Sequence, residues 1–583
     1  MTGPRRWQPA LLALLSTLLV AGCTTIPTSS SPQVVRTLPR DSARATARPD
    51  LTPHPGAGPY EILQQFVSAG VDADAGHSIA RQFLTKAAAG KWQDDPTVIL
   101  DETAISEPTF AGDGSAAVTV SGRRVGMIDA TGVFTPVLKG MGTGDLEKFT
   151  FVLTRASGQW RINQLQPGVV ISQSGFASMY RARSIYFFNA AQSILVPDLR
   201  YTALSGQALA TWLLQRLVGG PRPELAQSVI NEVPDQSNKA TVQIGDPITV
   251  EMPGSSQLQA NDQNNLAAQI AFTLGQVEFA GAGVRLTDGG RPVRVPAASG
   301  NEFSTVDFTG ASPNAVAPGA KSYFLRDGAV YSAETGQALP GFLGQPARNL
   351  VSVAFRRSAK NLQVAGVTAD GNLEIGDDTQ LAAVRIPAAV VSRPEWSPQD
   401  DDVWFGAGAR DGIYRVSAGS AVRPVSASSA VGSLPPGRVS TIRFSPDGVR
   451  VALVIRTAAG TGTVWLGSVV NSGADVRIDS LEPITPSAMS VTDLAWADPT
   501  RLLLIAAAPG AQPQVSEMLC DGSDLTPQTA AGLPGVPTSI AAAPQQDPLV
   551  SANGQILALN GSTWTPVGAG SSAVVGTNPA YAP

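Results

Sequence analysis

The run Thr441-Ile-Arg-Phe-Ser-Pro-Asp-Gly448, continued by Val-Arg-Val-Ala-Leu-Val-Ile455, decides the fold. One extended stretch enters a turn and an apolar stretch leaves it. Ser-Pro-Asp-Gly is turn chemistry, because proline presets φ and glycine accepts a positive φ. The same strand–turn–strand unit recurs with variations. Ser352-Val-Ala-Phe355, Ser392-Arg-Pro-Glu-Trp396-Ser-Pro398, Thr492-Asp-Leu-Ala-Trp496-Ala-Asp-Pro499 and Thr538-Ser-Ile-Ala-Ala-Ala-Pro544 hold the equivalent place. From Phe355 to Trp396, Phe444 and Trp496 the steps are 41, 48 and 52 residues. An apolar run trails each: Leu362–Val367, Asp402–Phe405, Val451–Ile455, Arg501–Ala507 and Pro548–Ser551. A third strand often follows, as in Gly371-Asn-Leu-Glu-Ile375, Gly412-Ile-Tyr-Arg-Val416 and Gly462-Thr-Val-Trp-Leu466.

Units of this kind, repeated at this spacing, are what a β-propeller requires, since one four-stranded blade cannot bury both faces alone. Residues 318–583, at about 45 per blade, predict an all-β propeller of about six blades. Lys321–Ala333, with Ile556–Leu559 and Trp564–Val567, is expected to complete one blade between the two ends. A β-sandwich is the rival reading.

Upstream of 318 the helical period returns. Residues 203–300 read as a compact α/β domain. Ser205 is placed to cap a helix whose Leu209, Trp212, Leu213 and Leu217 share a face, and Gly219-Gly220-Pro221 ends it. Strands follow at Val242–Ile244 and Ile248–Met252. A second helix begins near Asn261 with Leu266, Ile270 and Leu274 in register, and a strand pair flanks Asp288-Gly289-Gly290. Residues 181–202 are expected as connecting strands. Residues 59–180 read as a cone-shaped α+β domain of the nuclear-transport-factor type. It has helices at 59–70 and 77–92, the second capped from Asp74 to His77. Strands follow at 117–120 and 124–128, then a hairpin of 149–154 with 159–165. Its hollow could hold a small ligand, but a core filled by Phe and Trp is the expectation.

The amino terminus carries Arg5 and Arg6, then a short apolar segment over 10–22, then Cys23. A bilayer span needs about 20 apolar residues, so this is an export signal rather than an anchor helix. Ala21 and Gly22 give a peptidase access, and a cysteine directly behind them looks like a bacterial lipobox. The expectation is a signal peptide over 1–22, cleavage between Gly22 and Cys23, and fatty acylation (diacylglyceryl, palmitate) on the Cys23 sulfur. The Pro-, Ser- and Thr-rich stretch 23–58 reads as a disordered tether. The protein would then sit on the extracytoplasmic face of the cell membrane, anchored by lipid.

Chemistry is hard to find. With only 2 Cys, no disulfide framework is possible once Cys23 is acylated. Cys520 reads as a buried filler near a turn. With only 2 His, His54 and His77, zinc sites and a Ser-His-Asp triad have little to work with. No nucleophile elbow or phosphate loop is present. A net charge of −5 with 15% charged residues does not suit a nucleic-acid surface. Asp72-Ala-Asp74-Ala-Gly76 reads as helix capping rather than a calcium loop. Asp377-Asp378 and Asp400-Asp401-Asp402 read as solvated turns, and Asn560-Gly-Ser562 as a turn. No catalytic residue, metal or cofactor is assigned, and an enzyme is not expected.

The order of parts resembles the actinobacterial LpqB lipoprotein family, which combines a lipobox, an N-terminal domain, a GerM-like domain and a C-terminal propeller. The resemblance rests on Gly158-Gln-Trp-Arg-Ile-Asn-Gln-Leu165 with Gln166-Pro-Gly168, and on Tyr186-Phe-Phe188 with Leu195-Val-Pro-Asp-Leu-Arg-Tyr201. Leu213-Leu-Gln-Arg-Leu-Val-Gly-Gly-Pro221 and Ala268-Gln-Ile-Ala-Phe-Thr-Leu274 are similar to GerM-type helices. The resemblance implies an accessory that associates with the extracellular domain of a sensor histidine kinase of the Mtr-type two-component system, influencing cell-wall and division signalling. Loops such as Arg410-Asp-Gly412 or Gln399–Asp402 are places to look for contacts. Alternatives are a cell-wall glycan or peptide binder without kinase contact, and a propeller hydrolase.

Overall fold

The computed structural model describes residues 51–582, apart from 139–145, 279–282, 315–319, 347–348, 359–360, 387, 391, 409–411, 429–435, 473–474 and 569–573. Helix α1 (Pro59–Ala69) opens the first domain with proline in its first turn, where no intrahelical N–H is lost. Its Ile62, Leu63, Phe66 and Ala69 are buried against a curved sheet. The main path of that sheet is β1 (Thr97–Ile105), β2 (Ala116–Ile128), β3 (Leu146–Ala156), β4 (Gln159–Gln164) and β5 (Val169–Ser172), in the order β4-β3-β2-β1-β5, and the short strands Thr109–Phe110 and Phe134–Pro136 also pair with β2. The hollow is filled as expected. Phe66 sits 6.2 Å from Phe83, 5.7 Å from Trp92 and 5.8 Å from Phe151.

The helix expected over 77–92 is broken. A 3-10 turn covers Ala80–Phe83, and a new helix, α2 (Lys86–Lys91), starts on the Thr85 cap. The reason is competition from the sheet: Thr85 N–H donates to the Ile162 carbonyl at 2.9 Å and draws Leu84 out extended. Residue 77 is also unsuited to a helix, because His77 has φ +55° and its Nδ1 lies 3.0 Å from Asp94 Oδ2. Asp72 caps the Asp74 N–H at 3.0 Å, a local turn and not a helix cap. Residues 52–58, assigned by composition to the tether, lie on the domain. His54 N–H donates to Gln65, Gly56 N–H donates to Gln159, and Ala57 is buried.

The second domain begins with a hairpin of β6 (Arg181–Asn189) and β7 (Leu195–Thr202), then α3 (Gly206–Val218) and α4 (Ala260–Leu274). The hairpin is more than a connection. Its Ile185, Phe187, Phe188 and Leu195 share one core with Leu209, Leu213, Leu217, Leu266, Ile270 and Leu274. The Ser205 side chain makes no capping bond to α3. A second sheet orders Thr241–Gln243, Ile248–Glu251, Val284–Asp288 and Arg291–Pro292, close to the expected strands.

Among the described residues the propeller has six blades. Blade 1 pairs Lys321–Arg326 with Ala329–Ser332 and with the terminal strand Thr577–Ala582, so that Lys321 faces Ala582. The expectation that 556–567 would close the ring is corrected. Those strands stay in blade 6, because Asn560-Gly561 forms a tight hairpin with Asn560 paired to Thr563. Blades 2, 5 and 6 are separate four-stranded sheets, whereas blades 3 and 4 merge into one. There the outer strand Arg423–Ala427 of blade 3 runs parallel to Asp475–Pro483 of blade 4.

The repeated aromatics hold blade to blade. Trp396 Nε1 of blade 3 donates to the Ala354 carbonyl of blade 2, and Trp496 Nε1 of blade 5 donates to the Arg443 carbonyl of blade 4. Asp402 is not in a solvated turn, as expected, but buried. It takes Arg415 at 2.6 Å and Arg423 at 2.9 Å. Asp377 does cap an exposed turn, and bonds from Thr379 and Gln380 hold its carboxyl down to about 2. Cys520 is buried, and burial pushes its thiol up to about 12.

Candidate functional site

Gly22 and Cys23, which carry the expected cleavage and lipid, lie outside the described residues. So do Arg410 and Asp411. The loop Gln399–Asp402 is braced from both sides: Gln399 Nε2 donates to the Gly448 carbonyl, and Arg356 reaches the Asp400 carbonyl and the Asp401 carboxylate. Among the described residues no helix is long and apolar enough to cross a membrane, and no three His, Cys, Asp or Glu side chains gather as a metal site.

Two places concentrate buried chemistry. The first is a junction built on β7, whose eight residues Leu195–Thr202 are all buried. Asp198 and Arg200, two apart on an extended strand, share a face. Asp198 is fully buried and receives Arg200 Nη2 at 2.7 Å, Arg222 Nε at 2.9 Å and the Arg222 backbone N–H at 3.0 Å. Burial alone would push the Asp198 carboxyl up, but Arg222 and Arg200 together hold it below its ordinary value. Arg200 Nη1 continues into the first domain, donating to Thr131 Oγ1 at 2.9 Å, and Tyr201 N–H donates to the Gly132 carbonyl at 2.7 Å.

The propeller docks on the same strand. Arg450, just past the Ser-Pro-Asp-Gly turn, donates to the Pro197 carbonyl, and Val449 packs with Val196 and Leu225. The Tyr201 hydroxyl meets Ser523 Oγ in blade 5, and Leu199 joins the core of blades 4 and 5. The turn read from the sequence as punctuation is thus also a docking point. Beside the junction, Phe134, Phe176, Tyr180 and Tyr201 line a cavity of about 740 Å³ between the first domain and blade 5.

The second place is the propeller axis. The inner strands of all six blades contribute to a cavity of about 230 Å³ walled by Phe355, Trp396, Phe444 and Trp496. Arg393 and Glu395 of blade 3 and Arg443 of blade 4 reach it. Arg443 Nη1 bonds Glu395 Oε2 at 3.1 Å, and its Nη2 lies 4.0 Å from Asp493 Oδ1 in blade 5. Sequence reasoning missed this cluster and the role of β7. The signals were an arginine beside two of the four repeat aromatics (Arg356 after Phe355, Arg443 before Phe444) and an Asp–Arg pair inside an otherwise largely apolar strand.

The chain matches three family profiles in succession. These are the lipoprotein LpqB N-terminal domain over 52–177, a sporulation and spore germination (GerM-type) domain over 184–294, and the lipoprotein LpqB β-propeller domain over 328–582. Lipoprotein LpqB of Mycolicibacterium smegmatis is 32% identical over 472 residues, covering 75% of this chain and 76% of that one. Lipoprotein LpqB of Rhodococcus opacus is 29% identical over 483 residues, covering 76% of each. Among solved structures, a gluconolactonase from Xanthomonas campestris aligns at TM-score 0.30 and 11% identity, over 39% of this chain and 77% of that one.

Proposed function

This chain belongs to the LpqB lipoprotein family, and from that premise we propose that it is a lipid-tethered, extracytoplasmic, non-enzymatic accessory of a sensor histidine kinase of the Mtr type. The observation that carries the reading is the junction on β7. It joins three domains, so a tether leading from Cys23 would hold one connected body rather than three loose modules. A body of that kind suits a protein partner. The tether raises its effective concentration at a membrane receptor without adding contacts. Each buried methylene of an acyl chain contributes about 0.8 kcal/mol, and two chains anchor durably. Binding the kinase's two signalling states unequally would shift their balance, and only unequal binding would do so.

The test is cross-linking in intact membranes, comparing wild type with Cys23→Ser, with intact-mass measurement of the mature amino terminus. The expected result is an acylated Cys23, a cross-link to the kinase ectodomain, and loss of both in the variant. A membrane-bound, unacylated variant that still cross-links would overturn the anchoring. An acylated protein that never cross-links to the kinase would overturn the partner.

A further inference from the structure

Two arginines on the wall of the axial cavity each carry a buried nitrogen that no acceptor in the protein meets. Arg443 has only 8% of its side chain exposed. Its Nη1 serves Glu395 and the Ile442 carbonyl, while its Nη2 has no hydrogen-bond partner. Arg393 Nη2 donates to the Pro579 carbonyl of the closing strand, and its Nη1 is buried without a partner. Buried guanidinium nitrogens are normally satisfied, and those that are not call for a ligand, an ion or water. Another buried pair with unbonded atoms, Asp447 Oδ2 and Arg450 Nη1, is different, because those two face each other at 3.6 Å.

The nearby acids are already engaged. Asp493 Oδ1 accepts the Leu494 N–H and Oδ2 accepts the Ile540 N–H, both at 3.0 Å. Glu395 Oε2 is held by Arg443. Burial and the neighbouring Arg443 pull Arg393 down to about 10, which leaves it charged at neutral pH.

We infer that this axial pocket binds a monoanionic carboxylate through Arg393 and Arg443, with an apolar group beside it against Phe355, Trp396, Phe444 and Trp496. Each arginine has one guanidinium nitrogen to offer a carboxylate oxygen, and hydrogen bonds between ionised partners are about twice as strong as neutral ones. Two arginines against Glu395 and Asp493 sum to no formal charge, so a bound carboxylate leaves the pocket at −1, whereas a dianion such as phosphate leaves it at −2 and meets the stronger repulsion. A cavity of about 230 Å³ admits a chain end or one side chain rather than a folded segment. The inference does not depend on the kinase reading: a carboxylate can bind whether or not a kinase does.

The experiment is calorimetric titration of the full-length protein in nanodiscs with N-acetyl-L-leucine, N-acetyl-L-leucinamide, N-acetyl-L-glutamic acid α-amide and inorganic phosphate. The expected result is binding of at least one carboxylate, with the amide and phosphate silent. N-acetyl-L-leucine binding alone identifies a chain terminus as the source. The glutamic amide binding alone identifies a side chain. Arg393→Gln should weaken binding by at least about tenfold. Glu395→Gln, which removes a negative charge beside both arginines, should tighten it, so the prediction survives if Arg393→Gln fails to fold. No heat from either carboxylate would leave the nitrogens to water and overturn the proposal. Equal binding of the amide, or tighter binding of phosphate, would do the same.

Discussion

The Asp198 cluster and the axial cluster both bury arginines beside acids, and they end differently. At Asp198 both carboxylate oxygens are taken, by Arg200 on the same strand and by Arg222 just past α3, and Arg200 keeps another nitrogen for Thr131 of the first domain. On the axis the acids are satisfied, but Arg393 and Arg443, both lining the cavity, each keep one buried nitrogen without a hydrogen-bond partner. Taking charges out of water costs several kcal/mol per ion, offset only when geometry and remaining bonds are good. A closed cluster of this kind fixes an arrangement. A partly open one is receptive, because a ligand can supply the missing acceptor.

The largest effect expected from breaking the comparison is at its closed side. Asp198→Asn leaves Arg200 and Arg222 buried without their counter-charge and should cost about 3–5 kcal/mol. Chemical denaturation would measure it. Next is Gly132→Ala. Gly132 has φ +84°, and an added Cβ would lie 2.8 Å from Trp212 and 2.9 Å from the Tyr201 carbonyl oxygen. The expected cost is about 1–3 kcal/mol. Limited proteolysis should then release the first domain while the propeller stays resistant.

The smallest effect is in acid. The folded pKa of Asp198 lies below its unfolded value, near 3.9. Its ion pairs therefore contribute fully above the unfolded value and are lost as pH falls through the folded one. Glu395 behaves in the opposite sense. Burial raises it, so its ionised form costs stability, and that cost is relieved as pH falls through its folded value. Stability measured from pH 6 to pH 3 should fall in the wild type and fall less steeply in Asp198→Asn.

Much of the architecture was legible because propellers and hairpins write themselves locally. The Ser-Pro-Asp-Gly turn, the spacing of Phe355, Trp396, Phe444 and Trp496, and the glycine-punctuated strands placed most blades. What escaped depends on distant partners. Nothing near Leu195–Thr202 announces that Pro197 will meet Arg450, or Tyr201 will meet Ser523, more than 200 residues later. The 77–92 helix failed for the same reason: Ile162, on a strand formed much later, captures Leu84 and Thr85. Asp402 looked like part of an exposed acidic run, because its partners Arg415 and Arg423 arrive across neighbouring strands of the blade. The axial arginines were visible as residues but not as a site, since their convergence needs the ring to close through Thr577–Ala582.

The most direct test is amide hydrogen exchange over Leu195–Thr202 in the full-length protein, wild type against Asp198→Asn. If this strand joins the three domains, its amides are among the slowest in the molecule. The substitution should then speed exchange together in residues 129–137, 445–450 and 519–525. Fast exchange across the strand in the wild type, or an effect confined to the hairpin itself, would contradict the account.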